Sequence, residues 1–196
     1  MLSTIAHEQT KATENTNLSI NQMLDYCATH PNAKICFRTS DMVLNIHSDA
    51  SYLNAHEARS RIGDHYFLGW IPHDNIPIKL NGTIHVISTI LKFVAASATK
   101  AELRALFVNA KEGRAIRLIL QELGHPQPPT PIHCDKYTAT GIANNTVKRR
   151  QTRSMEMQYF WIADQVARKQ FDVKWHPGLE NLGDYHTKHH PLAHHQ

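Results

Sequence analysis

Cysteine is scarce. Three thiols, Cys27, Cys36 and Cys134, in 196 residues make no disulfide framework, which points to a reducing compartment, cytoplasmic or nuclear. Long apolar runs are missing too. Runs such as 93–96 and 118–120 fall far short of the roughly 20 residues that cross a bilayer, so no membrane partner is expected. The first residues lack the basic, apolar and small-residue order of a secretory leader. Neither sign of charge dominates, with 21 Lys and Arg against 17 Asp and Glu. A hydrophobic fraction of 41% with 19% charged residues suits one globular domain with an appendage. Histidine, by contrast, is plentiful at 15. Its densest group, His186, His189, His190, His194 and His195, has no cysteine at finger spacing and reads as a polar tail rather than a zinc site.

The small positive excess is unevenly spread. Between Lys136 and Lys174 lie eight basic residues and three acids. A stripe of this kind suits a polyanion held through its phosphates, although charge alone fits a solvated helix face equally well. Lys148, Arg149, Arg150 and Arg153 are the candidate backbone contacts.

Periodicity gives the element order. Residues 1–15 are polar and aperiodic and read as a frayed lead-in, followed by a helix over 17–29 that ends at His30-Pro31. Met42, Leu44 and Ile46 alternate with Val43, Asn45 and His47, so a strand is expected there with Asp49 on its more polar side. Further strands are expected at 65–70 and 83–89, separated by a proline-containing loop over 71–80. Leu103, Leu106, Ala110, Gly113, Ile116, Leu120 and Leu123 then write a long helix that Gly124 and Pro126 stop. A strand at 132–134, a helix from Tyr137, a helix through Met155, Tyr159, Ile162 and Val166, a strand at 171–175 and a short final helix complete the chain. The expected fold class is α/β: a mixed five-stranded sheet, three antiparallel strands first, flanked by helices. The expected organisation is a lead-in and helix over 1–38, one domain over 39–190 and a His-rich tail over 191–196.

Four acids stand in distinct contexts: Asp49 in NIHSDAS, Glu102 in ATKAEL, Asp135 in IHCDK and Asp184 in LGDYHTKHHP. The expected topology can bring them to one edge of the sheet. Two carboxylates roughly 5 Å apart at an effective dielectric near 20 repel by about 3 kcal/mol. Six such pairs sum to an upper bound of about 20 kcal/mol, more than a typical domain's stability of roughly 5–15 kcal/mol. A cluster of this kind must take up protons or cations, and hard Mg²⁺ or Mn²⁺ suits oxygen donors. Glu102 has a second reading, as the reaching-back member of a capping box begun by Thr99.

These motifs, SDAS, TKAEL, CDK and LGDYHTK, resemble the ribonuclease H domain of copia-type retrotransposon Pol polyproteins. The similarity covers about residues 40–190, and residues 17–38 resemble the connection to the reverse transcriptase. The resemblance implies a ribonuclease H-like fold with Asp49, Glu102, Asp135 and Asp184 holding two Mg²⁺ ions. It further implies hydrolysis of the RNA strand of RNA–DNA hybrids, and a reverse-transcriptase domain as partner in the parent polyprotein. His176, in a Pro-Gly turn, resembles a mobile histidine that aids product release; on residues alone it reads as a plain loop histidine. The family usually has Asn where Lys136 stands and often Ala where Gly183 stands. The interval from Asp49 to Glu102 is also longer than usual, and the extra length is expected within 71–80. The alternative is a decayed or domesticated copy that binds nucleic acid without cutting it. An integrase-like strand transferase shares the fold and metal chemistry but uses three acids.

Overall fold

The computed structural model describes residues 2–71, 78–146 and 156–188, in two compact units, Met1–Cys36 and Phe37–Gln196. Lys148, Arg149, Arg150, Arg153, most of the 71–80 loop and the 191–196 tail lie outside the described residues.

The first unit departs from the expected frayed lead-in. It holds α1 (Leu2–Glu8), one 3₁₀ turn and α2 (Glu14–Thr29). Polar side chains account for this order. The Thr13 amide donates to Thr16 Oγ1 at 3.0 Å, and that hydroxyl donates to Glu8 Oε2 at 2.8 Å. The caps satisfy groups that would otherwise fray the helix start.

In the second unit, β1 (Val43–Ala55) runs well past the apolar alternation. It turns through His56–Ala58 into β2 (Arg59–Gly69), which begins at Arg59 instead of His65. Glu57 and Ala58 hold φ of 58° and 52°, left-handed values that let the hairpin close. The expected third strand splits into β3 (Thr83–His85) and β4 (Ser88–Ile90), both antiparallel to β2. Asp64 causes the break, because its carboxylate takes the Ile87 amide that a regular ladder would give to backbone. The sheet is therefore six-stranded rather than five-stranded.

The long helix α3 (Ala98–Glu122) ends at Gly124, whose φ of 87° closes the run. After it come β5 (Thr130–Cys134), α4 (Tyr137–Ala143), α5 (Glu156–Ala167), β6 (Phe171–Trp175), a 3₁₀ turn and α6 (Asp184–Thr187). The sheet order is β3-β2-β1-β5-β6, with β4 also on β2, and β5 and β6 are parallel to their neighbours. Leu44, Ile46, Ile132 and Phe171 of the sheet pack against Leu103, Leu106, Ala110 and Leu120 of α3. At Gly113 a Cβ would stand 2.5 Å from Ile46 Cδ1, so this glycine lets the helix lie close. Among the described residues, no helix is long and apolar enough to cross a membrane.

The more polar side of β1 is buried as well. Asn45, His47 and Asp49 are 3%, 1% and 1% exposed. The segment after β6 covers part of this side: Asn181 Nδ2 donates to Ser48 O at 2.8 Å and the Leu182 amide to His47 Nδ1 at 3.1 Å.

On the α3 side, Ser48, Asp64 and Asn109 form a buried polar patch, with the Asn109 amide nitrogen 3.0 Å from Asp64 Oδ2 and its oxygen accepting from Ser48. Burial pushes the Asp64 carboxyl up to about 7, against the opposing bonds from Ile87 and Tyr66. A folded-state value above the unfolded one means stability is fully present below about pH 4 and declines as pH rises toward 7. The interval of about three units caps the loss at about 4 kcal/mol. Asp64→Asn is expected to flatten that slope, because Asn109 can turn its amide to meet the new one. Urea midpoints at pH 5 and pH 8 check this, and an unchanged slope in the variant refutes the assignment.

Candidate metal centre

Parallel pairing starts the centre. Ser48 on β1 is opposite Cys134, the last residue of β5, so Asp49 on β1 and Asp135, just past the end of β5, come to the same edge of the sheet. Glu102 enters from the first turns of α3, where it is 4% exposed. The capping-box reading of Glu102 does not hold. Ser97 caps the helix, accepting from Lys100 N at 3.2 Å, while Glu102 Oε1 accepts from the Ala50 amide at 3.2 Å. Glu102 is thus tied to the strand that carries Asp49. Asp184, the first residue of α6, arrives from the covering segment, its amide bonded to Asn181 O at 3.0 Å.

The four acids act on one another. Burial pushes Asp49 up to about 6, with Asp135 and Asp184 adding to the rise while Thr187 and Lys188 oppose it. Glu102 is raised well above its ordinary value, first by burial and then by Asp49 and Asp135. Ligand atoms of Glu102, Cys134 and Asp135 all lie within 4.8 Å of one another. Burial also raises the Cys134 thiol, keeping it protonated, so the available donors are carboxylate oxygens. Such a set fits hard divalent cations, which relieve both the burial cost and the mutual repulsion.

His176 is not joined to the acids by any bond or ion pair among the described residues. Its ring packs at 5.6 and 5.3 Å from those of His47 and His133, and its Nε2 lies 3.4 Å from Glu180 Oε2. Lys136 caps α4 and likewise has no ion pair with the acids among the described residues. The cation that meets them is Lys188. Its Nζ bonds Asp184 Oδ1 and stands 3.9 Å from Asp49 Oδ2, while Thr187 Oγ1 donates to Asp49 Oδ2. Both residues lie in the DYHTK motif, three and four positions after Asp184, the spacing that shares a helix face, and that signal was there to be used. A basic and aromatic surface also escaped notice: Phe107, Lys111, Arg114, Met157 and Trp161 help line a groove of about 660 Å³ between α3 and α5.

Comparison with solved structures gives the fold. The N-terminal RNase H domain of rv2228c from Mycobacterium tuberculosis, in a fusion with maltose binding protein, superposes at TM-score 0.52 and 11% identity, over 74% of this chain and 91% of that one. LC11-RNase H1 in complex with an RNA/DNA hybrid gives 0.52 and 13%, over 74% and 93%. The fold is that of ribonuclease H. In sequence, the chain is 28% identical over 154 residues to the retrovirus-related Pol polyprotein from transposon TNT 1-94 of Nicotiana tabacum, covering 79% of this chain. The resemblance to a copia-type retrotransposon Pol polyprotein therefore stands. The chain spans 11% of that relative's length. No family model matches it.

Proposed function

We propose that this chain is a metal-dependent endonuclease, derived from a retrotransposon polyprotein, that hydrolyses the RNA strand of RNA–DNA hybrids. The observation that carries the reading is the convergence of Asp49, Glu102, Asp135 and Asp184, with Asp49 and Glu102 raised in pKa first by burial and then by other carboxylates of the set. Asp49, Glu102, Asp135 and Asp184 would hold two divalent ions, Mg²⁺ or Mn²⁺, which when bound activate water and stabilise the departing oxygen. Asp49 is raised by Asp135 and Asp184 and itself raises Glu102, so it would be the acid that helps hold both ions. Glu102 is positioned by the Ala50 amide, and Trp175 Nε1 holds the chain at Asp135 through its carbonyl at 2.9 Å. No nucleophilic side chain is required.

Recognition of the hybrid would rest on groove shape and the 2′-hydroxyl, with little reading of bases. Lys148, Arg149, Arg150 and Arg153, with Lys111 and Arg114 on α3, would grip the phosphates, and a reverse-transcriptase domain would be the partner within the parent polyprotein. Exposed Cys27 and Cys36 suit a cytoplasmic or nuclear setting.

The test incubates the purified chain with a labelled RNA–DNA hybrid and Mg²⁺ at low salt, beside Asp135→Asn. RNA fragments with 5′-phosphates and 3′-hydroxyls are expected from the native chain, and at least a hundredfold fewer from the variant. Binding without cleavage, or joining of DNA ends, would replace the hydrolase reading.

A further inference from the structure

One cation of the chain already stands against the carboxylate cluster. Lys188 Nζ bonds Asp184 Oδ1 and lies 3.9 Å from Asp49 Oδ2, and the charge of Asp135 also acts on it. The opposite side, formed by Glu102 and Asp135 beside Cys134, has ligand atoms within 4.8 Å of one another, and among the described residues neither acid pairs directly with a lysine or arginine, although the Lys188 charge reaches both. The centre is therefore asymmetric, with one side paired directly with a cation of the chain itself and the other without such a contact. Lys188 is tied to this position by its own backbone, whose amide donates to Asp184 O at 3.0 Å, and by neighbouring Thr187, which bonds Asp49.

We propose that the Lys188 ammonium is a built-in cation of the centre, standing on the Asp49–Asp184 side and weakening the hold on a second divalent ion. A first ion meets less opposition on the Glu102–Asp135 side, which Lys188 does not contact directly. A second reaches Asp184 only as the ammonium withdraws, which its 44% exposed side chain can do toward solvent. Lys188 is thus a positioning residue that sets the metal threshold of the centre. This rests on reading the four acids as a divalent-metal centre.

Calorimetric titration with Mn²⁺ alone, on the full chain and on Lys188→Met, Lys188→Gln and Lys188→Arg, tests it. The native chain is expected to take up one ion more tightly than a second. Removing the charge in the Met and Gln variants should tighten the second ion by about tenfold or more, since a unit charge about 4 Å away is a large perturbation even at a dielectric near 20. The Arg variant, which keeps the charge, should stay within about threefold of native. In EDTA, the Met and Gln variants should melt earlier than native, and Mn²⁺ should raise their melting points further than it raises the native one. Two neutral variants guard against one that folds poorly.

Equal Mn²⁺ affinities and stoichiometries across all four chains overturn the proposal, even if the native chain cleaves hybrid and the proposed function stands. Loss of hybrid affinity in EDTA with unchanged Mn²⁺ uptake also overturns it, by making Lys188 a phosphate contact. Failure of every chain to take up Mn²⁺ sinks the metal centre, and the proposed function with it.

Discussion

Asp49→Asn is expected to make the metal-free protein more stable while abolishing the proposed Mg²⁺-dependent cleavage. Asp49 is 1% exposed and burial holds its carboxyl at about 6, so at neutral pH the folded state carries a charge it resists. The sign follows from the raised value: stability from this group is fully present below about pH 4 and lost as pH rises through about 6. A rise of about two units from the ordinary 3.8 corresponds to about 3 kcal/mol at pH 8, an upper bound. Against this gain stands the weakened pairing with Lys188, which is small because that side chain is half exposed. The Thr187 hydroxyl keeps an acceptor in the asparagine oxygen. The catalytic effect runs the other way. Loss of the ligand that would bridge both ions removes several kcal/mol of charge stabilisation, a fall on the order of 10³ or more in kcat. Urea unfolding in EDTA at pH 4 and pH 8, with hybrid cleavage assays alongside, gives both readouts. A variant less stable than native at pH 8 would mean that the charge is no burden, and cleavage within tenfold of native would remove Asp49 from the centre.

How far the sequence reached can be judged residue by residue. The motifs around Asp49, Glu102, Asp135 and Asp184 named four acids that the structure brings together, and the run 171–175 coincides with β6. These features are local: a strand end, a helix start, a short apolar alternation. What was not legible depends on distant partners. Periodicity reports which side of a strand is apolar and is silent on what covers the other side. Asn45 and His47 stand on the more polar side of the alternation, yet they are buried, and His47 takes its bond from Leu182, 135 positions along the chain. The third strand broke because one buried carboxylate, Asp64, captured the Ile87 amide, which no propensity encodes. Glu102 shows the converse. Two local readings were open, and the Ala50 amide on a neighbouring strand decided between them.

Gly63→Ala is expected to undo the centre without touching an acid. Gly63 is the β2 partner of Asp49, so a Cβ there points to the side on which α6 lies. It would stand 2.5 Å from Thr187 Cγ2, 2.7 Å from Gly183 O and 2.9 Å from His186 Cβ, and the last two belong to backbone and stem atoms that cannot swing aside. Replacing a strand glycine ordinarily gains roughly 0.5–1 kcal/mol from chain entropy. Overpacking of this kind costs roughly 1–3 kcal/mol, so the clash wins. Relief requires α6 to lift, and it is fastened nearby by Ser88 Oγ to His186 O at 2.7 Å and Asn54 Nδ2 to Thr187 O at 3.0 Å. Those bonds lengthen with it, and Asp184, Thr187 and Lys188 move away from Asp49 together. The melting point should fall by roughly 3–8 °C. Cleavage should drop by about a hundredfold, the scale of loss that accompanies a misplacement of about 1 Å. Gly113→Ala is the matched control, since its added Cβ meets the movable tip of Ile46 on the far side of the sheet and should leave cleavage within a few-fold of native. Differential scanning calorimetry and single-turnover cleavage of both variants separate the effects. If Gly63→Ala cleaves as the native chain does, α6 and the acid it carries are not part of the working centre.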